Sequence, residues 1–126
     1  MKVDLLDLTR QHRLLKEKIK PAIESVIETQ RFVNGPVLKE FEENFASYCG
    51  TKYAVGCSSG TDALIMSLIA LDIGPGDEVI TVPFTFFATV EAIIRRGATP
   101  VFVDICEKTY NIDPHKVEKA ITERTR

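Results

Sequence analysis

The stretch Glu78-Val79-Ile80-Thr81-Val82, then Pro83-Phe84-Thr85-Phe86-Phe87-Ala88-Thr89, then Val90-Glu91-Ala92-Ile93-Ile94-Arg95-Arg96-Gly97, and on to Pro100-Val101-Phe102-Val103-Asp104, decides the fold. Its two ends are short apolar runs that read as strands over 78–82 and 100–104. Phe86 to Arg95 reads as an apolar helix between them, stopped by Gly97. Strand, helix, strand with nearly continuous apolar strands is the pattern of βαβ units in a parallel sheet covered on both faces.

The same grammar extends in both directions. Tyr53-Ala54-Val55-Gly56-Cys57 reads as a short buried strand, Ser58-Ser59-Gly60-Thr61 as a polar turn and Asp62 to Leu71 as an apolar helix. Gly74-Pro75-Gly76-Asp77 is a strong turn. Asp113 is a cap and Pro114 a helix-starting proline, opening a last helix to about Ile121. The expected class is α/β with three strands. Such a small sheet needs more sheet beside it, and the charged end Thr122-Glu123-Arg124-Thr125-Arg126 stands where another strand would start. A truncated or split product of a longer protein is the expectation.

Residues 1–52 form a helical segment ahead of this alternating part, 53–126. Leu14, Leu15, Ile19, Ile23, Val26 and Ile27 recur at mostly three- and four-residue steps, opposite Lys16, Glu17, Lys18 and Lys20. Pro21, inside the run, should kink one helix or start a second. After the break at Asn34-Gly35-Pro36, a helix from Val37 to Tyr48 should bury Val37, Leu38, Phe41, Phe45 and Tyr48 and expose Lys39, Glu40, Glu42 and Glu43, with Gly50 at its end.

Composition sets outer bounds. The chain has 126 residues, 44% hydrophobic and 27% charged, which is one domain's worth with material for a core. The net charge of −2 carries no basic excess for a nucleic acid or a membrane surface. No apolar run approaches the roughly 18 residues of a membrane span. Asp4 and Asp7 fall where a signal peptide needs apolar residues. Cys49, Cys57 and Cys106 are odd in number and widely spaced, so metal-ligand spacing is absent and a reducing cytoplasm is the expected compartment.

Two stretches can carry chemistry. Gly56-Cys57-Ser58-Ser59-Gly60-Thr61-Asp62-Ala63-Leu64 lies between a strand and a helix. Backbone N–H groups at a helix start bind anions, Gly60 allows close approach, and the Ser58, Ser59 and Thr61 hydroxyls can donate. A capped turn without a ligand explains the same residues equally well. The P-loop lysine and the three-glycine dinucleotide spacing are both missing. Asp62 suits the start of its helix through the dipole. In the second stretch, Phe84, Phe86 and Phe87 follow a strand, where open α/β sheets bind ligands. Phe84 and Phe87 read as core residues, and Phe86 as the ring facing a planar ligand. Arg31-Phe32-Val33-Asn34-Gly35-Pro36 is, unaided, a loop between helices. His12 and His115 read as surface residues, and Glu42-Glu43 as a solvated helix face.

In combination these segments resemble the N-terminal part of the DegT/DnrJ family of pyridoxal-phosphate-dependent sugar aminotransferases. The landmarks are the opening Val3-Asp4-Leu5-Leu6-Asp7-Leu8, Phe32-Val33-Asn34-Gly35-Pro36, Ser58 to Leu64, Gly74-Pro75-Gly76-Asp77-Glu78-Val79-Ile80-Thr81, Pro83 to Thr89 and Pro100 to Asp104. Their order and spacing together are specific, and the likeness covers nearly the whole chain. It implies a three-layer αβα fold, the N-terminal part of the fold-type I transferase large domain, cut after the third strand and its following helix. It further implies pyridoxal phosphate as cofactor and a homodimer with sites at the subunit interface. By the same resemblance Ser59, Gly60 and Thr61 hold the cofactor phosphate, Phe86 stacks on the pyridine ring, and Asn34, Gly35 and Pro36 form a loop at the substrate end. The family's Schiff-base lysine and the aspartate that pairs with the pyridine nitrogen both fall beyond Arg126, so no catalytic residue is expected within the chain.

The implied activity is transfer of an amino group from an amino acid, with glutamate the expected donor, to a nucleotide-linked keto-sugar. The 126 residues alone are expected to be inactive. Three alternatives stay open at this level. One is sugar dehydration on the same frame, with a histidine in the lysine's place. The others are a plain phosphate-binding α/β module and a non-catalytic fragment that associates with other chains.

Overall fold

Glu78-Val79-Ile80-Thr81 and Thr99-Pro100-Val101-Phe102 pair side by side and parallel, Glu78 opposite Thr99 and Thr81 opposite Phe102. These are β1 (Glu78–Thr81) and β2 (Thr99–Phe102), and α4 (Phe87–Arg95) crosses between them. Parallel neighbours cannot be joined by a tight hairpin, so the intervening apolar segment must cross the sheet, and as a helix it satisfies its own backbone. Ala88, Ala92 and Ile93 are its buried residues. Pro100 is tolerated because β2 has a ladder neighbour on one side only among the described residues. The structure, a computed structural model, describes residues 4–126. Val3 of the opening landmark lies outside them, as do Met1 and Lys2.

The chain divides into two compact units, one through Gly56 and one from Cys57 to Arg126. In the second, α3 (Gly60–Ala70) precedes β1 and packs against α4. The turn between α3 and β1 is closed by the Asp77 N–H on the Gly74 carbonyl (3.1 Å) and the Gly74 N–H on the Asp77 carboxylate (2.9 Å). Ile73, Ile93 and Ala98 form the core cluster, with Leu68 and Val79 against it. Asp113 caps α5 (Pro114–Ala120), its carboxylate accepting the His115 N–H at 3.0 Å. Past α5 the chain returns to the free edge of β1. The Glu78 N–H reaches the Arg124 carbonyl at 2.9 Å, and the Arg126 N–H reaches the Glu78 carbonyl at 3.0 Å. A third parallel rung therefore begins where the sequence placed it.

The first unit contains α1 (Thr9–Thr29) and α2 (Pro36–Cys49). Helix α1 runs through Pro21 as one element, so Pro21 does not start a second helix. Its missing N–H forfeits one internal bond. The burial expected along α2 is corrected: Val37, Phe41, Phe45 and Tyr48 are exposed, and Ala46 alone is buried. Nothing among the described residues covers that stripe. The strand expected at 53–57 is corrected too. Those residues have no ladder partner among the described residues, and Tyr53 and Val55 are exposed. A strand is defined by its neighbour, and a single extended segment has none.

Glu78 is buried at 5% exposure, with its carboxylate paired to the Arg124 guanidinium and accepting the Thr122 hydroxyl at 2.6 Å. Glu78→Ala should loosen the 122–126 rung. Amide exchange at Arg126 should accelerate by about tenfold or more, as befits the loss of a charge-assisted bond. Exchange at Val103, which follows β2 and is bonded to the Thr81 carbonyl of β1, should not change.

Candidate functional site

The start of α3 is built from its own sequence. Ser59 is the N-cap, extended in backbone, and its hydroxyl oxygen accepts the Asp62 N–H at 3.1 Å. The Asp62 carboxylate in turn accepts the Ser58 hydroxyl at 2.6 Å and the Ser59 hydroxyl at 2.9 Å. These bonds hold the Asp62 carboxyl below the ordinary carboxylate range, Ser58 contributing most, then Ser59, with the Arg95 charge a lesser aid. Asp62 lies in the first helical turn, as the dipole argument expects. The Ala63 N–H closes on the Ser59 carbonyl at 3.0 Å.

That network leaves a specific remainder. The N–H groups of Gly60 and Thr61 and the Thr61 hydroxyl have no acceptor among the described residues. No atom lies within 4 Å of where a Cβ on Gly60 would stand. The helix start therefore offers two uncommitted N–H donors and the Thr61 hydroxyl, the dipole's positive end and open approach, which is the donor set an oxyanion group requires. The Ser58 and Ser59 hydroxyls are donated to Asp62, and Ser59 must turn away from it to serve a ligand.

Phe86 stands at the N-cap of α4 with extended backbone (φ −73°, ψ 142°), its carbonyl accepting the Thr89 N–H at 3.1 Å. Its ring is 80% exposed. The core assignment of Phe84 and Phe87 is corrected: they are 66% and 67% exposed. Both lie beyond the end of β1, where the described residues cover them only in part, and Phe84 meets Tyr110 with ring centroids 6.0 Å apart. Helices α3 and α4 and the end of β1 share one recess of about 170 Å³, with Leu64, Thr81 and Thr89 in its wall.

The loop ahead of α2 has local reasons for its residues. Asn34 has a positive φ of 49°, which asparagine tolerates. A Cβ on Gly35 would collide with the Arg31 carbonyl oxygen, and Pro36 opens α2. Gln30 to Pro36 line a hollow of about 480 Å³ in the first unit. His12 and His115 are exposed. Among the described residues no cluster of potential metal ligands occurs, and no helix is long and apolar enough to cross a membrane.

Glu42 also departs from its sequence reading. Glu43 is exposed and pairs with Lys39 at 3.8 Å, as a solvated face should. Glu42 is half-buried, and its carboxylate accepts the Gly56 N–H at 2.7 Å. The available signal was its place between Leu38 and Ala46 at four-residue steps, the side of α2 that is at least partly covered.

Comparison with known proteins supplies the context. The sequence model of the DegT/DnrJ/EryC1/StrS aminotransferase family matches residues 13–126. The chain is 48% identical over 126 residues to a protein of Geobacillus stearothermophilus named pleiotropic regulatory protein, covering 100% of this chain and 34% of that one. It is 44% identical over 124 residues to the UDP-2-acetamido-2-deoxy-3-oxo-D-glucuronate aminotransferase of Pseudomonas aeruginosa, covering 98% and 34%. It superimposes with a TM-score of 0.93 on the crystal structure of NtdA from Bacillus subtilis with bound cofactor PMP, at 40% identity, covering 99% of this chain and 29% of that one. The chain thus spans about a third of the length of these curated relatives.

Ser59→Ala removes the cap and should cost the unit about 1 kcal/mol, read by denaturant melting. It should also raise the Asp62 pKa toward the ordinary value, read by carboxyl NMR titration. A carboxyl whose pKa is lowered by folding contributes stability above its unfolded pKa and loses it as pH falls through the folded one. The native cap should therefore weaken on acidification below the ordinary carboxylate range, and the Ser59→Ala protein should show less of that dependence.

Proposed function

We propose that this chain, which belongs to the DegT/DnrJ/EryC1/StrS aminotransferase family, is the N-terminal part of a pyridoxal-phosphate-dependent enzyme that transfers an amino group from an amino acid to a nucleotide-linked keto-sugar. The observation that carries this reading is the open start of α3, where among the described residues the Gly60 and Thr61 N–H groups lack acceptors and the Gly60 approach is clear. The relative that is a UDP-sugar aminotransferase and the PMP-bound neighbour support it. The α/β fold of the family is present in the second unit, with parallel strands and a helical crossover.

The residues fit the group. A phosphate is the oxyanion that two free helix N-terminal donors and an unobstructed glycine accommodate. Gly60 and Thr61 donate to it, and the Ser59 hydroxyl joins them by leaving Asp62. The exposed Phe86 ring would be the surface on which the pyridine ring stacks. When bound, pyridoxal phosphate supplies the electron-withdrawing ring on which an amino group is carried between substrates. Asn34, Gly35 and Pro36 are proposed as substrate contacts, in addition to the local reasons for their loop. Glutamate is the proposed donor, a homodimer the proposed assembly and the cytoplasm the proposed compartment. The catalytic lysine is assigned to sequence following Arg126. Residues 53–126 are assigned to the cofactor-binding domain and 1–52 to the segment ahead of it.

In the full-length protein, Gly60→Val should weaken pyridoxal phosphate binding in a visible-absorbance titration, although nothing in the chain itself obstructs the new side chain. Thr61→Ala should weaken it by the worth of one bond to a charged group, about 1.5–3 kcal/mol. Native affinity in both variants would remove the start of α3 as the phosphate site.

Phe86→Ala should loosen the cofactor while leaving the cofactor-free melting temperature nearly unchanged, because the ring is 80% exposed. A core residue would behave oppositely, with a stability loss of about 3–5 kcal/mol and normal binding in the folded fraction. The 126-residue chain alone should turn over no amino donor, if the imine-forming lysine follows Arg126 as assigned above. Product analysis of the full-length protein separates amination from dehydration of the sugar.

A further inference from the structure

The Ser59 side chain has two separable roles at the start of α3. Its oxygen accepts the Asp62 N–H at 3.1 Å, which is the cap, and its hydrogen is donated to the Asp62 carboxylate at 2.9 Å. The Ser58 hydroxyl is donated to the same carboxylate oxygen at 2.6 Å. These bonds, Ser58 first and then Ser59, hold the Asp62 carboxyl below the ordinary carboxylate range, so it is charged at neutral pH. All of these residues lie in the second unit, with Gly60 and Thr61 between them. A carboxylate and a phosphate are both oxyanions, and a serine hydroxyl has one hydrogen to give.

We infer that Asp62 is an internal competitor for the cofactor phosphate, claiming the Ser59 hydroxyl for the turn's own network and holding cofactor affinity below what the turn's donors could give. The inference rests on the phosphate reading of Gly60 and Thr61, and Asp62 touches no cofactor atom in it. Binding exchanges a charge-assisted bond to Asp62 for one to the phosphate, so the Ser59 hydroxyl adds little net affinity while Asp62 is present. Replacing the Asp62 side chain frees that hydrogen and leaves the cap in place, because the cap uses the backbone N–H of residue 62 and the Ser59 oxygen. Removing a competitor tightens binding. Removing a residue that merely supports the helix start weakens binding or leaves it native.

The experiment is a visible-absorbance titration of the full-length protein with pyridoxal phosphate, arranged as a double-mutant cycle. Asp62→Ala should lower the cofactor Kd by about tenfold, the order of one hydrogen bond to a charged group. Ser59→Ala should raise Kd by about tenfold more in the Asp62→Ala background than in the native one. Loss of the cap is common to both Ser59 changes and cancels in the cycle. Asp62→Asn keeps an acceptor oxygen without the charge, should lower Kd by about threefold, and carries the test should Asp62→Ala fail to fold. Native or raised Kd in the folded Ala variant, or in Asn where Ala does not fold, overturns the inference. So does a gain of equal size with and without the Ser59 hydroxyl, which relief of charge repulsion alone would produce. Gly60→Val distinguishes the two levels. If it weakens binding while the cycle shows no coupling, the competition alone falls. If it leaves binding unchanged, the phosphate reading falls and this inference with it.

Discussion

Parallel pairing of β1 with β2 is the constraint on which the second unit depends. Two parallel neighbours must be connected by a segment that travels back along the sheet, and α4 is that segment. Its burial of Ala88, Ala92 and Ile93 supplies much of the core, together with Ile73 and Ala98. The return of Arg124 to Arg126 to the other edge of β1 repeats the same direction of travel after α5. Connections at one end of the strands then lead into helix starts, and helix starts present N–H groups without internal partners.

How those N–H groups are satisfied separates a structural turn from a binding site. At α5 the Asp113 carboxylate takes the His115 N–H. At α3 the Ser59 hydroxyl oxygen takes the third N–H, and Asp62 gathers the Ser58 and Ser59 hydroxyls. Stability of the helix start and availability to a ligand therefore coexist. Capping consumes the Asp62 N–H, while those of Gly60 and Thr61 have no acceptor among the described residues. For the anion proposed at this turn, the cost would include parting Ser59 from Asp62, and the gain two donors already fixed in direction by the helix.

The first unit shows a different economy of contacts. Helix α2 exposes most of its large apolar residues but turns Leu38, Glu42 and Ala46 toward partial cover. On that face a carboxylate substitutes for a ladder partner, accepting the N–H that a neighbouring strand would otherwise take. Unsatisfied backbone donors are costly, and a side chain from a helix is a sufficient acceptor where no strand is at hand.

Local features were legible in the sequence because their physics is local. The proline at the start of α2, the Asp113 cap, the stop at Gly97, the turn at Gly74 to Asp77 and the acid in the first turn of α3 each depend on a few neighbouring residues. The βαβ order followed from hydrophobic period alone, and the family landmarks extended it to a cofactor and a reaction class. Tertiary structure decided what depends on a partner elsewhere in the chain. The extended run 53–57 is not a strand because no neighbour among the described residues pairs with it. The apolar stripes of α1 and α2 are exposed because little among the described residues packs on them, and Phe84 and Phe87 are exposed because their cover is only partial. Glu42, a charge on a helix in the sequence, becomes the acceptor for a backbone N–H fourteen residues away. Periodicity belongs to a segment, whereas burial and pairing belong to two segments that must meet.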